Sequence, residues 1–318
     1  MVVDQLSEVF DLVEVRGQMT GGFEVRGRWV SRGAVDDPLK LAAMVRGRAR
    51  LTTDGIDDPI ELEPGDVAIL NNRSWLCMEG GTGGGPPREI VPEQTYRTIR
   101  TDGTDGADGG APDVVIGCRV DVNPAGQALL LEALPPVGHV RASAAAAGLR
   151  RSLDRLIDEV TGGRPGSAFA IRQCGQLLLL EVLRAYVGQA ELPPGWLRVL
   201  TDERLRPALN LMHADPGRPW RLEDLAHAAA MSRTSFAERF RTMAGVPPLT
   251  YLNRWRMLLA QRALRDGDVR IGSLAAELGY ASDSAFSTAF KREVGESPLR
   301  FRHRTRQTAV LPTPATQA

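Results

Sequence analysis

The stretch LAHAAAMSRTSFAERFRTMAGVPPLTYLNRWRM, Leu225–Met257, decides the reading because it returns. Ser232, Phe236, Phe240, Gly245, Pro248 and Tyr251 are matched 50 residues later by Ser282, Phe286, Phe290, Gly295, Pro298 and Phe301. A short apolar segment precedes each set, Leu222–Ala230 and Ile271–Leu278, so each copy reads as helix, tight turn, helix. The turn is one residue longer in the second copy, where Gly279 supplies the flexible position. Ser232 and Ser282 stand where a helix needs an N-cap, and a serine hydroxyl accepts from an orphan N–H there. Phe236, Phe240 and Met243 fall on one helical face and pin the second helix to the first.

The opposite face of each second helix is small and polar. In the first copy it carries Thr234, Glu238 and Arg241, flanked by Arg233 and Ala237. In the second it carries Ser284, Thr288 and Lys291, with Asp283 and Ser287 beside them. Gly245 and Gly295 then stop the helices. An anchored helix with such a face fits a DNA major groove. Tyr251–Leu264 reads as one connecting helix, which would hold two reading heads at a fixed separation. Entry into one face of B-DNA requires that separation to be about 34 Å. A single motif of this kind is often just two packed helices; two copies in register are far more specific.

Charge supports the same division. Net charge is zero over 318 residues, but Trp196 onward holds 19 Lys+Arg against 12 Asp+Glu, a balance of +7. The acidic remainder lies upstream, so a polyanion is the expected partner of the downstream part. Arg300, Arg302, Arg304 and Arg306 read as a phosphate-contacting or disordered basic tail.

Upstream, residues 1–139 read mostly as short strands, among them Leu39–Val45, Ala49–Thr53, Ile60–Leu62, Val67–Leu70 and Val114–Val122. Asp54-Gly55 and Pro64-Gly65-Asp66 are turn signals between them. Such spacing predicts a small sandwich or barrel. Gly80–Pro87 and Thr101–Pro112 read as flexible. From about Arg141 the period changes. Leu149, Leu153, Leu156, Ile157 and Val160 form one helical face, and a second helix is expected over about Ala168–Val187. That helix is apolar over so wide an arc that it needs cover on more than one side, either from the β region or from a second copy. Pro193-Pro194-Gly195 reads as a linker.

Cys77, Cys118 and Cys174 are too few and too far apart for a disulfide framework or a metal knuckle. Cys118 and Cys174 read as core. Cys77 reads as a small buried hydrophobe or a redox sensor. No secretion signal or bilayer-length apolar run is visible, so the expected location is the cytoplasm, with no membrane partner.

The motif Leu225-Ala226-x-x-Ala229-x-Met231-Ser232, followed by Phe236, Phe240, Gly245, Pro248, Tyr251-Leu252, Arg256-Met257 and Ala260, resembles the AraC/XylS family of transcription regulators. So does Ile271-x-x-Leu274-Ala275, followed by Gly279-Tyr280, Ser282, Phe286, Phe290-Lys291, Gly295 and Pro298. The likeness covers about 100 residues. It implies a seven-helix domain reading two adjacent major grooves, with a separate N-terminal effector or dimerisation domain. The family commonly has Arg where Glu238 and Thr288 stand here, so base preference does not carry over. An acidic Glu238 accepts from a cytosine amino group rather than gripping guanine or phosphate.

The strand pattern, Gly47, Pro64-Gly65-Asp66 and Leu134-Pro135-Pro136 look like the cupin-type sensor of one AraC branch, as does Tyr251–Met257. Cupin enzymes of that resemblance carry metal on histidines. The histidines here are His139, His213, His227 and His303, none between Leu39 and Leu76, so neither metal nor cofactor is expected. The expected fold is α+β. A cupin-like β-barrel with a helical hairpin precedes an all-α domain of two helix-turn-helix units. The divisions are 1–140 sensor, 141–195 linker or dimerisation region, 196–306 DNA-binding domain and 307–318 disordered tail.

The expected function is promoter regulation in response to a small molecule, without catalysis. Thr234, Glu238, Ser284 and Thr288 face bases, Arg233, Arg241, Lys291 and Arg292 supply positioning charge, and Ala237, Asp283 and Ser287 flank them within the expected DNA-binding set. Promoter DNA, an unidentified effector, a second copy and RNA polymerase are the expected partners. The rivals are a cupin enzyme fused to a DNA-binding tail, with or without metal, and a helical adaptor that binds no DNA.

Overall fold

Strand parity organises the first unit. In the computed structural model, Ala42 and Met44 of one strand, Ala68 and Leu70 of its neighbour, and Trp29, Leu51 and Met78 from a second sheet share one buried cluster. Alternate residues of each strand point the same way, so every second side chain is committed to that interior. The structure describes residues 5–13, 16–93, 96–99, 111–143, 146–189 and 192–310.

Helix α1 (Gln5–Val13) precedes strands β1 (Arg16–Val25), β2 (Trp29–Ala34), β3 (Leu39–Arg46), β4 (Ala49–Thr53), β5 (Ile60–Leu62) and β6 (Val67–Asn71). Then come β7 (Trp75–Gly80), β8 (Arg88–Ile90), β9 (Tyr96–Ile99), β10 (Asp113–Asp121), α2 (Pro124–Ala133), β11 (Val137–Val140), α3 (Ala147–Thr161) and α4 (Ser167–Gln189). Hydrogen bonding orders these strands as β11-β6-β3-β10-β1-β9 and β5-β4-β7-β2-β8. The expected barrel is therefore two sheets closing on a common core, not one continuous cylinder of strands.

Two helices depart from the expected run of strands. α2 begins at an N-cap, where Asn123 Oδ1 accepts from Gly126 N at 2.8 Å and Pro124 opens the first turn. Its continuous apolar run, Ala128–Leu131, hides the helical period. α1 is a short amphipathic segment with Val9 and Leu12 buried.

At the β6 entry, Asp66 accepts from Glu63 N, Ala142 N and His139 Nε2 at 3.0, 2.7 and 2.8 Å. Burial pushes this carboxyl upward, but the hydrogen bonds from His139, Ala142 and Glu63 outweigh it and hold it below its usual value. Asp66 of the Pro-Gly-Asp turn is thus a buried knot tying β6 to β11.

α3 buries Leu149, Leu153, Leu156 and Ile157, while Val160 is half-buried. α4 packs on α3, β1 and β11, burying Leu178, Leu179, Val182 and Leu183. Phe169 and Leu177 of α4 stay exposed. Cys118 and Cys174 are buried, and burial pushes the Cys118 thiol up to about 12; Cys77 is half-buried.

The second unit comprises α5 (Trp196–Leu200), α6 (Arg206–Ala214), α7 (Leu222–Ala228), α8 (Arg233–Ala244), α9 (Pro248–Asp266), α10 (Ile271–Glu277), α11 (Asp283–Val294) and α12 (Pro298–Val310). The chain divides into Val13–Pro193 and a unit joining Met1–Leu12 to Pro194–Ala318. α1 therefore belongs with the C-terminal helices. Of the segments expected to be disordered or flexible, residues 101–110 and 311–318 lie outside the described residues, and residues 307–310 belong to α12. No helix among the described residues is long and apolar enough to cross a membrane.

Candidate nucleic-acid interface

Each outer face is held out by buried aromatic packing beneath it. In the first copy, Phe236 and Phe240 are fully buried with ring centroids 5.7 Å apart, and Phe240 meets Tyr251 edge-on at 5.5 Å. In the second, Phe286 and Phe290 are 5.8 Å apart, and Phe290 meets Phe301 at 5.6 Å. Interplanar angles match as closely, 55° and 72° against 49° and 76°.

The caps match too. Ser232 Oγ accepts from Ser235 N at 3.2 Å, and Ser282 Oγ accepts from Ala285 N at 3.1 Å. α8 and α11 both end on a left-handed glycine, Gly245 and Gly295. The serines were expected as caps, and both act as such.

Arg233, Thr234, Glu238 and Arg241 are exposed on α8, with Ala237 half-buried between them. Arg233 pairs with Glu223 of α7 at 3.1 Å. On α11, Asp283, Ser284, Thr288, Lys291 and Arg292 are exposed and Ser287 is half-buried. Ser284, Ser287, Thr288, Lys291 and Arg292 line one open depression together with Ser297. Asp283 lies outside it, its carboxylate close to Gly272 of α10. Ser297 was not among the expected site residues. It precedes the repeat's Pro298 and has no counterpart in the first copy, where Pro247 stands, so the repeat carried no signal for it.

Not every cation of the unit is available to a ligand. Arg239 donates through Nε to Asp202 Oδ2 at 2.7 Å, and the Asp202 side chain is 1% exposed. Asp202 also accepts from Arg204 N and Leu205 N. This arginine of α8 is therefore engaged within the unit.

Of the two readings given for Arg300, Arg302, Arg304 and Arg306, the disordered tail does not hold. These arginines lie in α12, where Arg304 pairs with Glu296 at 2.7 Å, Arg302 donates to Val269 O and Arg306 pairs with Asp268. The helical turn stacks these side chains against acceptors that sequence spacing does not show.

The connector is α9. Its 19 residues span roughly 28 Å at the helical rise. Arg256 is buried within it and donates to Pro216 O at 2.6 Å and Arg218 O at 3.0 Å, fixing the segment that leads into the first copy. Met257, Ala260 and Leu264 enter the core of the second copy.

At the first copy, His213 lies stacked on Trp255, with centroids 3.8 Å apart. Its Nδ1 is 2.9 Å from Glu8 Oε2 and its Nε2 is 2.9 Å from Tyr251 Oη. A carboxylate only accepts, so the proton sits on Nδ1 and Tyr251 donates to Nε2. Burial pushes the His213 pKa below its ordinary 6.5, although Glu8 pulls the other way.

Among the described residues, no group of His, Cys, Asp and Glu is placed to hold a metal ion. His139, on β11, is engaged with Asp66.

Comparison with known proteins places both units. A family model described as Cupin matches residues 4–188, and one described as Helix-turn-helix domain matches residues 225–304. An AraC-like transcription regulator of Streptomyces lividans is 34% identical over 304 residues, covering 94% of this chain and 98% of the relative. One from Streptomyces antibioticus is 34% identical over 306 residues, with the same coverage of 94% and 98%. Among solved structures, the DNA-binding domain of AdpA, crystallised with a target DNA, is 32% identical with a TM-score of 0.32. It covers 34% of this chain and 96% of that domain.

Proposed function

The chain belongs to the AraC-like transcription regulators, and from that premise we propose how its parts divide the work. α8 and α11 enter successive major grooves of promoter DNA. Thr234 and Glu238 meet base edges in one groove, with Ala237 beside them; Ser284 and Thr288 meet them in the next, flanked by Asp283 and Ser287. Arg233, Arg241, Lys291 and Arg292 set the register on phosphates. The observation that carries this reading is the matched pair of exposed polar faces above matched buried phenylalanines.

The two-sheet unit senses a small molecule rather than transforming one. Two copies pair through α4, whose Phe169 and Leu177 are 62% and 51% exposed. The complex acts in the cytoplasm and contacts RNA polymerase at the promoter.

A mobility-shift series on genomic promoter fragments tests the core of this reading. Binding that weakens steeply with salt, and that competitor DNA of random sequence does not abolish, is the expected result. Loss of every shift in the presence of random competitor would overturn it.

A further inference from the structure

The interior of the two-sheet unit holds a charge that the core does not balance. A cavity with about 670 Å³ of free space, its open mouth included, lies between the sheets. Phe23, Leu76, Met78 and Ile90 give it an apolar wall. Lys40 reaches into the same space. Its strand partner on β6 is Leu70, and both follow the inward parity of Ala42 and Met44. Lys40 is half-buried, and among the described residues no carboxylate pairs with it.

The surroundings favour an anion from outside. Arg97 and Glu93 also line the cavity, but they pair with each other at 2.7 Å. Arg119, opposite Lys40 on β10, is engaged by Asp121 and Gln18. β1 shifts register between Met19 and Gly21, and Thr20 at that irregularity lines the cavity. Gly117, also in the wall, carries no side chain, and Lys40 Cε lies 3.8 Å from where its Cβ would stand. An ammonium against apolar walls gains most from a ligand that brings one negative charge and an apolar body.

A sugar needs several side-chain hydrogen-bonding partners, and beyond the charged groups the lining offers the hydroxyls of Thr20 and Ser31. A phosphate dianion needs more positive charge than one unpaired lysine supplies.

We propose that this cavity is the effector site and takes a small monocarboxylate. The carboxylate sits on the Lys40 ammonium and the Thr20 or Ser31 hydroxyl; the hydrocarbon or aryl body lies on Phe23, Met78 and Ile90. The inference rests on the sensor role given above to the two-sheet unit.

Calorimetric titration of the full chain with octanoate and phenylacetate tests it, with 1-octanol, 2-phenylethanol and inorganic phosphate as comparisons. At least one acid is expected to bind at least about tenfold more tightly than its alcohol, the scale of one hydrogen bond to a charged group. K40M and K40Q lose that preference and K40R keeps it. Two substitutions of different polarity guard against one of them failing to fold, which circular dichroism reports. Equal binding of acid and alcohol by the wild type, no binding of either acid, preference for phosphate, or an acid preference retained in the folded neutral variant would each overturn the proposal. A mobility shift on the same preparation separates the two readings. DNA binding without acid binding sinks only this inference; absence of sequence-specific DNA binding sinks the regulator reading.

Discussion

The two helix-turn-helix copies agree where they are buried and differ where they are exposed. Three aromatic positions, Phe236/Phe286, Phe240/Phe290 and Tyr251/Phe301, repeat with near-identical spacing. The outward faces are both polar but only partly alike: Thr234/Ser284 keep a hydroxyl and Arg241/Lys291 a cation, whereas Arg233 gives way to Asp283 and Glu238 to Thr288. Packing is what a second copy must preserve to fold; the free face is what it can change to read different bases. The copies differ inside at one telling place. Tyr251 carries a hydroxyl that joins His213 and, through it, Glu8 of α1, while its counterpart Phe301 has none. The first copy alone carries this three-residue tie to the N-terminal helix.

The largest effect expected is common to both copies. Phe240→Ala and Phe290→Ala should each cost about 3–5 kcal/mol, as large-to-small changes at fully buried aromatics do. Chemical denaturation of the two variants checks this. A difference of more than about 2 kcal/mol between them would show that the equal geometry hides unequal packing.

Gly279 comes next. It has φ +76°, and a Cβ there would meet Gly217 O at 2.0 Å. Gly279→Ala should therefore cost more than the roughly 1–2 kcal/mol of a left-handed non-glycine residue alone. The corresponding turn residue of the first copy is Ala230, at φ +51°. Both turns close alike, with Met231 N donating to Ala226 O and Tyr280 N to Ala275 O. A reversed ranking of Gly279→Ala and Ala230→Gly in thermal melts would break this account of the turns.

Tyr251→Phe makes the first copy resemble the second and should cost about 1 kcal/mol, one net hydrogen bond. The same site sets a pH dependence. His213 is neutral in the fold because its pKa is held below 6.5, whereas the unfolded chain protonates near 6.5. Its contribution to stability is therefore full above about pH 6.5 and falls as pH drops through the folded-state value. His213→Gln should flatten that part of the stability profile; an unchanged acid limb would remove His213 from the account. The smallest effect is Ala230→Gly, a gain of about 0.5–1 kcal/mol from relief of left-handed strain less the added unfolded-state entropy.

How much of this was visible in the sequence follows from the same contrast. The repeat exposed the second unit because its anchors are large, buried and regularly spaced. α1 and α2 carry no such signature: one is a single short amphipathic segment, and the other has an apolar run that fits strand as well as helix. The pairing of Arg239 with Asp202, 37 residues away, has no local signature. The same holds for the acceptors of Arg302 and Arg306. Lys40 could have been found, since it breaks the apolar character of β3 at an inward position, but parity becomes informative only once the inward face is known. The exposed faces of α8 and α11 followed from helical phase alone, because two phenylalanines four residues apart fix which side is buried.

Selection of bound sequences from a randomised duplex pool, run with the wild type, Thr234→Ala and Ser284→Ala, tests the central claim most directly. The expected wild-type motif has two blocks about one helical turn, or 10 base pairs, apart. Thr234→Ala should relax only one block and Ser284→Ala only the other, each by about 1–3 kcal/mol of discrimination. A single block, or two substitutions that alter the motif identically, would contradict the assignment of one groove to each helix.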